Sequence, residues 1–217
     1  SGEIDVLARV TTWTTSRDVD MPFDFIGVNY YDGQGFMVRK DLGIKSVKDL
    51  SGASICTNTG TSTETNMADY FKANGLEYKP VIFEKSEEVK SAYDAGRCDA
   101  YSSDVSGLYV QRKLLANPDA HDILPEVISK EPLGPLVRQE DPAFKDLAAW
   151  THHCMVNAEE YGVTQANVDE MKNSNNPNIR RLLGVEANGA DKLGVGQDFC
   201  YHIVKNIGNY GEAYDRN

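Results

Sequence analysis

The run Ala53-Ser54-Ile55-Cys56-Thr57-Asn58-Thr59-Gly60-Thr61-Ser62-Thr63-Glu64 decides how this chain is organised. Its first half alternates like a short buried strand, Gly60 supplies a tight turn, and Thr61 and Glu64 stand at the spacing of a capping box. The helix is therefore expected to begin at Ser62, to bury Met67, Tyr70 and Phe71, and to stop at Gly75. Its first-turn amides point outward. Those amides, the positive end of the helix dipole and the hydroxyls of Thr59, Thr61 and Ser62 suit a carboxylate or a phosphate. A nucleotide loop of the Gly-x-x-x-x-Gly-Lys type needs a lysine after the glycine, and none follows, so a small carboxylate is the favoured ligand. An ordinary capped helix in an α/β sheet would use the same residues.

The chain has 217 residues, 41% of them hydrophobic, enough to bury a core as one α/β domain or two small lobes. Its 22 basic and 33 acidic side chains give a formal charge of −11. With no basic surplus to displace counterions, nucleic acid is an unfavourable partner. No run of about 18 apolar residues is present, so no membrane-spanning helix is expected. The opening Ser1-Gly2-Glu3 is read as a turn, not as a targeting leader, which is taken to have been removed.

Four cysteines, Cys56, Cys98, Cys154 and Cys200, are far apart and form no Cys-x-x-Cys pair, so neither zinc nor a dithiol redox motif is indicated. Cys56 ends one expected strand and Cys98 begins another, placing their sulfurs within reach if those strands are neighbours in a parallel sheet. Disulfides would mean an oxidising compartment. In a reducing one the same residues would serve as small buried hydrophobes.

From the N-terminus, Ile4 to Val10 alternates as a strand whose neighbours nothing upstream supplies. The hydroxyl-rich stretch from Thr11 to Asp18 reads as a loop. Arg17 within it is suited to clamp a carboxylate bidentately, although a solvated loop arginine is the more frequent case. A strand at Gly35-Phe36-Met37-Val38, one helical turn at 46–50, a strand at Pro80-Val81-Ile82-Phe83 and a helix capped by Ser86 follow. The next strand, 98–104, ends at Asp104, where a helix over 105–115 begins. Alternating strands and helices predict a parallel sheet with right-handed crossovers and ligand groups at its carboxyl edge. Asp104 shares that edge with Gly60, as a helix N-cap, as a carboxylate for a cation, or as both. The remainder is an extended passage over 132–137, amphipathic helices around 144–158 and 167–172, a turn at Asn173-Ser174-Asn175-Asn176-Pro177 and a last helix near 199–207. His121, His152, His153 and His202 accompany no nucleophile or metal-ligand spacing and read as surface or core residues.

The runs Ser1-Gly2-Glu3-Ile4-Asp5-Val6-Leu7-Ala8-Arg9, Thr11-Thr12-Trp13-Thr14, Tyr30-Tyr31-Asp32-Gly33-Gln34-Gly35-Phe36-Met37-Val38-Arg39-Lys40, Tyr93-Asp94-Ala95-Gly96-Arg97-Cys98-Asp99 and Ser129-Lys130-Glu131-Pro132-Leu133-Gly134-Pro135 resemble the periplasmic general L-amino-acid-binding proteins of ABC transporters, solute-binding protein family 3. The resemblance covers nearly the whole chain. It implies a type II periplasmic binding fold of two lobes joined by a two-strand hinge, with residues 1–34 and 135–217 in lobe 1 and 35–134 in lobe 2. It also implies a free L-amino acid as ligand, a membrane permease as partner, a periplasmic location, and neither cofactor, metal nor catalysis.

Matched residue by residue, the resemblance assigns Arg17 to the ligand α-carboxylate, and gives Thr61 and Ser62 the same carboxylate through a hydroxyl and a backbone amide. It assigns Asp104 and the Thr12 hydroxyl to the α-ammonium. Asn58 and Ser103 fall where relatives vary with their ligands. Val10 stands where relatives often carry Asn, so a backbone role survives there but a side-chain role does not. Strand order 2-1-3 in such a sheet makes the strands of Cys56 and Cys98 neighbours and predicts their disulfide, with Cys154 and Cys200 as a second pair on C-terminal helices. Relatives also carry an N-terminal portion that this chain is expected to lack, leaving lobe 1 incomplete and its first strand open to a second copy or to the missing segment. Two other readings accompany this one: a dehydratase-like enzyme on the same fold, and a truncated interaction module that binds no ligand.

Overall fold

The computed structural model describes residues 2–217. Of the Ser1-Gly2-Glu3 turn, Ser1 lies outside the described residues. In chain order the strands are β1 (Val6–Leu7), β2 (Phe23–Phe25), β3 (Tyr30–Asp32), β4 (Gln34–Arg39), β5 (Ser54–Asn58), β6 (Lys79–Phe83), β7 (Ala100–Asp104), β8 (His121–Ile123), β9 (Glu131–Leu133) and β10 (Leu136–Arg138). The helices are α1 (Thr15–Asp20), α2 (Ser62–Ala73), α3 (Ser86–Asp94), α4 (Val105–Lys113), α5 (Pro142–Glu160), α6 (Val168–Met171), α7 (Pro177–Leu182), α8 (Phe199–Ile207) and α9 (Tyr210–Arg216). They fall into two compact units. Unit 1 comprises residues 1–8, 14–29 and 135–217, and unit 2 comprises residues 9–13 and 30–134. The boundary expected at 34/35 thus falls inside unit 2, where β3 pairs antiparallel with β9 and Thr12 bridges to Leu133.

Unit 2 is built on a five-stranded sheet of order β6-β5-β7-β4-β8. Its residues alternate between two cores, as the two-residue period of a strand requires. Phe36, Val38, Ile55 and Ala100 join Met67 and Phe71 of α2 on one face, while Met37, Cys56 and Tyr101 join Val89, Ala92 and Tyr93 of α3 and Leu108 of α4 on the other. Both β6 and β7 run parallel to β5, giving the expected 2-1-3 order, but β4 is antiparallel to β7 and to β8. The sheet is mixed and not parallel throughout. The reason lies in the connection: β4 reaches β5 through short 3-10 turns at Lys40–Leu42 and Val47–Leu50, so no crossover helix forces a parallel arrangement there.

Unit 1 carries a small antiparallel sheet, β1-β10-β2, and a helical core of Ala158, Val163, Val168, Ile179, Leu183 and Val204. The N-terminal strand is shorter than its alternation suggested, and β10 is its neighbour. Only Val6 and Leu7 find partners on that three-residue strand, Ile4 and Val10 are exposed, and Asp5 is tied by a 2.5 Å ion pair to Arg138. The hydroxyl-rich stretch after it is not wholly loop. Thr14 accepts from the Arg17 amide at 3.3 Å and starts α1. Likewise, Ser86 opens α3 as its first helical residue, and Lys85 takes the N-cap position.

Cys56 is bonded to Cys98 within unit 2, and Cys154 to Cys200 between α5 and α8 of unit 1. These are the two pairings expected above. No helix among the described residues is long and apolar enough to cross a membrane.

Candidate anion and cation sites at the sheet edge of unit 2

Because β5 and β7 are parallel neighbours, their C-terminal residues Asn58 and Asp104 lie at one edge of the sheet. Gly60 turns the chain there with φ at +69°, a left-handed conformation that glycine adopts without the penalty a Cβ brings. Thr61 caps α2, accepting from the Glu64 amide at 3.2 Å and donating its own proton to the Asn58 carbonyl at 2.8 Å. Its hydroxyl is therefore committed to the turn, and what Thr61 offers an anion is its backbone. The return half of the capping box differs from expectation: the Glu64 carboxylate accepts from the Gly60 amide at 2.8 Å. Helical geometry leaves the Ser62 and Thr63 amides without intrahelical acceptors, at the positive end of a 12-residue helix.

Asp104 occupies the N-cap position of α4, yet its side chain makes no capping hydrogen bond. Asp32 takes that task instead. Its carboxylate accepts from the Ser106 amide at 3.2 Å and from the Ser106 hydroxyl, and from the Gly33 amide at 2.8 Å. Asp104 is buried without serving the helix it precedes. Ser103 is half-buried beside it. Asn58 is held laterally, its amide donating to the Phe83 carbonyl at 3.4 Å and its carbonyl accepting from Ser86 at 3.3 Å.

The residue that sequence reading passed over is Glu131. At 1% exposure its carboxylate is buried, and four donors surround it. Thr12 Oγ1 and Ser62 Oγ donate to Oε2 at 2.5 and 3.0 Å, while Ser129 Oγ and Asn66 Nδ2 donate to Oε1 at 2.5 and 2.7 Å. The Thr12 and Ser62 hydroxyl oxygens are 3.3 Å apart. Thr12 and Ser62 are thus brought together, by an acid for which no role was foreseen. Val10 is exposed on the 9–13 segment. Arg17 belongs to unit 1, where it is half-buried on α1 and not a fully solvated loop residue.

Several groups of unit 2 titrate away from their ordinary values. The Ser54 hydroxyl and amide hold the Asp99 carboxyl below the usual range, burial pushes Tyr101 up to about 12, and burial lowers His121, which meets the Tyr93 hydroxyl at 2.8 Å. Tyr101 and His121 are buried, and Asp99 is half-buried.

A family model described as NMT1/THI5 like matches residues 14–118. The chain is 60% identical, over its whole length, to the general L-amino acid-binding periplasmic protein AapJ of Rhizobium johnstonii, and 51% identical to the glutamate/glutamine/aspartate/asparagine-binding protein BztA of Rhodobacter capsulatus. It spans 64% of the length of each. Among solved structures, an ABC transporter periplasmic binding protein from Brucella ovis with glutathione bound superposes with a TM-score of 0.95 at 59% identity, covering all of this chain and 68% of that one. The chain belongs to the periplasmic binding proteins of ABC transporters. Membership in this binding-protein family brings the type II periplasmic binding fold with it. The relatives named above are binding proteins, and none is named as an enzyme.

Proposed function

We propose that the chain acts as an extracytoplasmic solute-binding protein, capturing an L-amino acid for a membrane permease of an ABC importer in the periplasm, without catalysis. The observation that carries this reading is the pairing of opposite polarities at one sheet edge: the first-turn amides of α2 beside the buried Asp104 carboxylate, which its own helix does not use. A zwitterion needs both. In this reading the amides of Thr61, Ser62 and Thr63 and the Arg17 guanidinium take the α-carboxylate. Asp104 and Thr12 take the α-ammonium, Asn58 and Ser103 meet the ligand side chain, and Val10 contributes backbone alone.

The names of the relatives point to acidic and amide amino acids and to glutathione as the first ligands to try. Calorimetry against the twenty amino acids and glutathione tests the reading. Saturable binding of at least one is expected, and no heat with any of them refutes it. A segment N-terminal to this chain, or a second copy, is proposed to pair with the open side of β1, an edge strand. Light scattering with intact-mass analysis checks this, and a monomer unaccompanied by any peptide counts against it.

A further inference from the structure

A buried carboxylate is costly unless hydrogen bonds replace its water, and Glu131 has four donors for its roughly four lone-pair sites. It is saturated and has no capacity left for a ligand. Its effect must pass through the groups that donate to it. A serine or threonine hydroxyl has one proton and two acceptor sites. Thr12 and Ser62 both spend that proton on Glu131 Oε2, so towards anything else they present only acceptor lone pairs.

We infer that Glu131 is a positioning residue that sets the polarity of the ligand site, turning the Thr12 and Ser62 hydroxyls into acceptors for the ligand ammonium. This rests on the amino-acid reading above and extends it: the Ser62 hydroxyl, which the sequence grouped with the anion donors, does not donate to the α-carboxylate, which is left to backbone amides and Arg17. Ser62 is then a residue of double function. Its N–H, at the start of α2, serves the anion, and its Oγ, fixed by Glu131, serves the cation. The four side chains that converge on Glu131 come from the 9–13 segment, the first two turns of α2 and the approach to β9, so one acid aligns three pieces of unit 2.

The consequence is read by comparing an amino acid with its desamino analogue, which keeps the carboxylate and lacks the ammonium. Ser62→Ala should weaken the amino acid by about ten- to a hundredfold, the usual worth of a hydrogen bond to a charged group, and leave the desamino acid unchanged. Ser62→Thr, which keeps the hydroxyl, should restore most of the affinity. A purely structural role would lower both ligands together. Equal loss with both, loss of the desamino acid alone, or no loss with either overturns the inference. The hydroxyl hydrogens are located directly by neutron diffraction on the ligand-free wild-type chain. Deuterons of Thr12 and Ser62 directed at Glu131 are expected, and either one directed elsewhere overturns it. A wild type that binds no amino acid would refute the proposed function, while the neutron map would still decide the role of Glu131.

Discussion

Asp104 and Arg17 are the two charges on which the proposed recognition depends most, and their surroundings differ. Asp104 is buried at a strand end whose helix is capped by another acid, so capping α4 is not what its charge is there for. Asp104→Asn keeps the shape and removes the charge. It should cost an amino-acid ligand about 2 to 5 kcal/mol, measured by calorimetry, because a desolvated ammonium would lose its partner. Unchanged affinity would place the ammonium elsewhere. Arg17→Ala should cost a similar amount, and Arg17→Lys should recover only part of it, since an ammonium lacks the planar fork that matches a carboxylate. Equal affinity of Arg17→Ala and wild type would return Arg17 to the role of a surface helix residue. At this scale the sequence showed residue types but not how their protons are committed. Thr61 reads as a ligand hydroxyl until its bonds to Asn58 and Glu64 are seen.

At the scale of the element, α2 is the best-encoded piece of the molecule. Its cap, its buried Met67 and Phe71 and the left-handed Gly75 beyond its end all lie where periodicity and capping rules put them. Thr61→Ala should lower stability by about 1 kcal/mol in thermal unfolding and change ligand affinity little, because the hydroxyl serves the helix. A large loss of affinity with unchanged stability would contradict that assignment. Between strands, Asp99 ties its own approach to β7 to the start of β5 by accepting from the Ser54 hydroxyl at 2.6 Å and its amide at 2.8 Å. Those bonds depress its folded pKa, so its contribution to stability is complete above the unfolded value of about 4 and is lost as pH falls through the folded one. Asp99→Asn should therefore show a shallower loss of stability below about pH 4 than wild type. Parallel acid-unfolding curves for the two proteins would deny the linkage.

For the whole molecule, each compact unit holds one disulfide, closing sequence separations of 42 and 46 residues. Loops of that length restrict the unfolded chain by about 4 kcal/mol on a chain-entropy reckoning. Reduction should lower the melting temperature markedly, and replacing either cysteine pair by alanines should lower it by a part of that. A melting temperature insensitive to reductant would show that the bridges do not form in the protein as produced. The acidic charge of −11 acts at this scale too, opposing nucleic acid while leaving recognition of a small zwitterion to local groups.

What the sequence determined by itself was local: the β5-turn-α2 unit and the alternation of strand and helix through β7. Caps, turn glycines and hydrophobic periods are written within a dozen residues, and such signals survive being read one window at a time. Tertiary structure alone decided the antiparallel run of β4, the transfer of α4 capping from Asp104 to Asp32, and the burial of Glu131. Glu131 meets Thr12, Ser62 and Asn66 across separations of 119, 69 and 65 residues. No window of sequence holds those contacts, and only the cost of burying a carboxylate without donors brings them together.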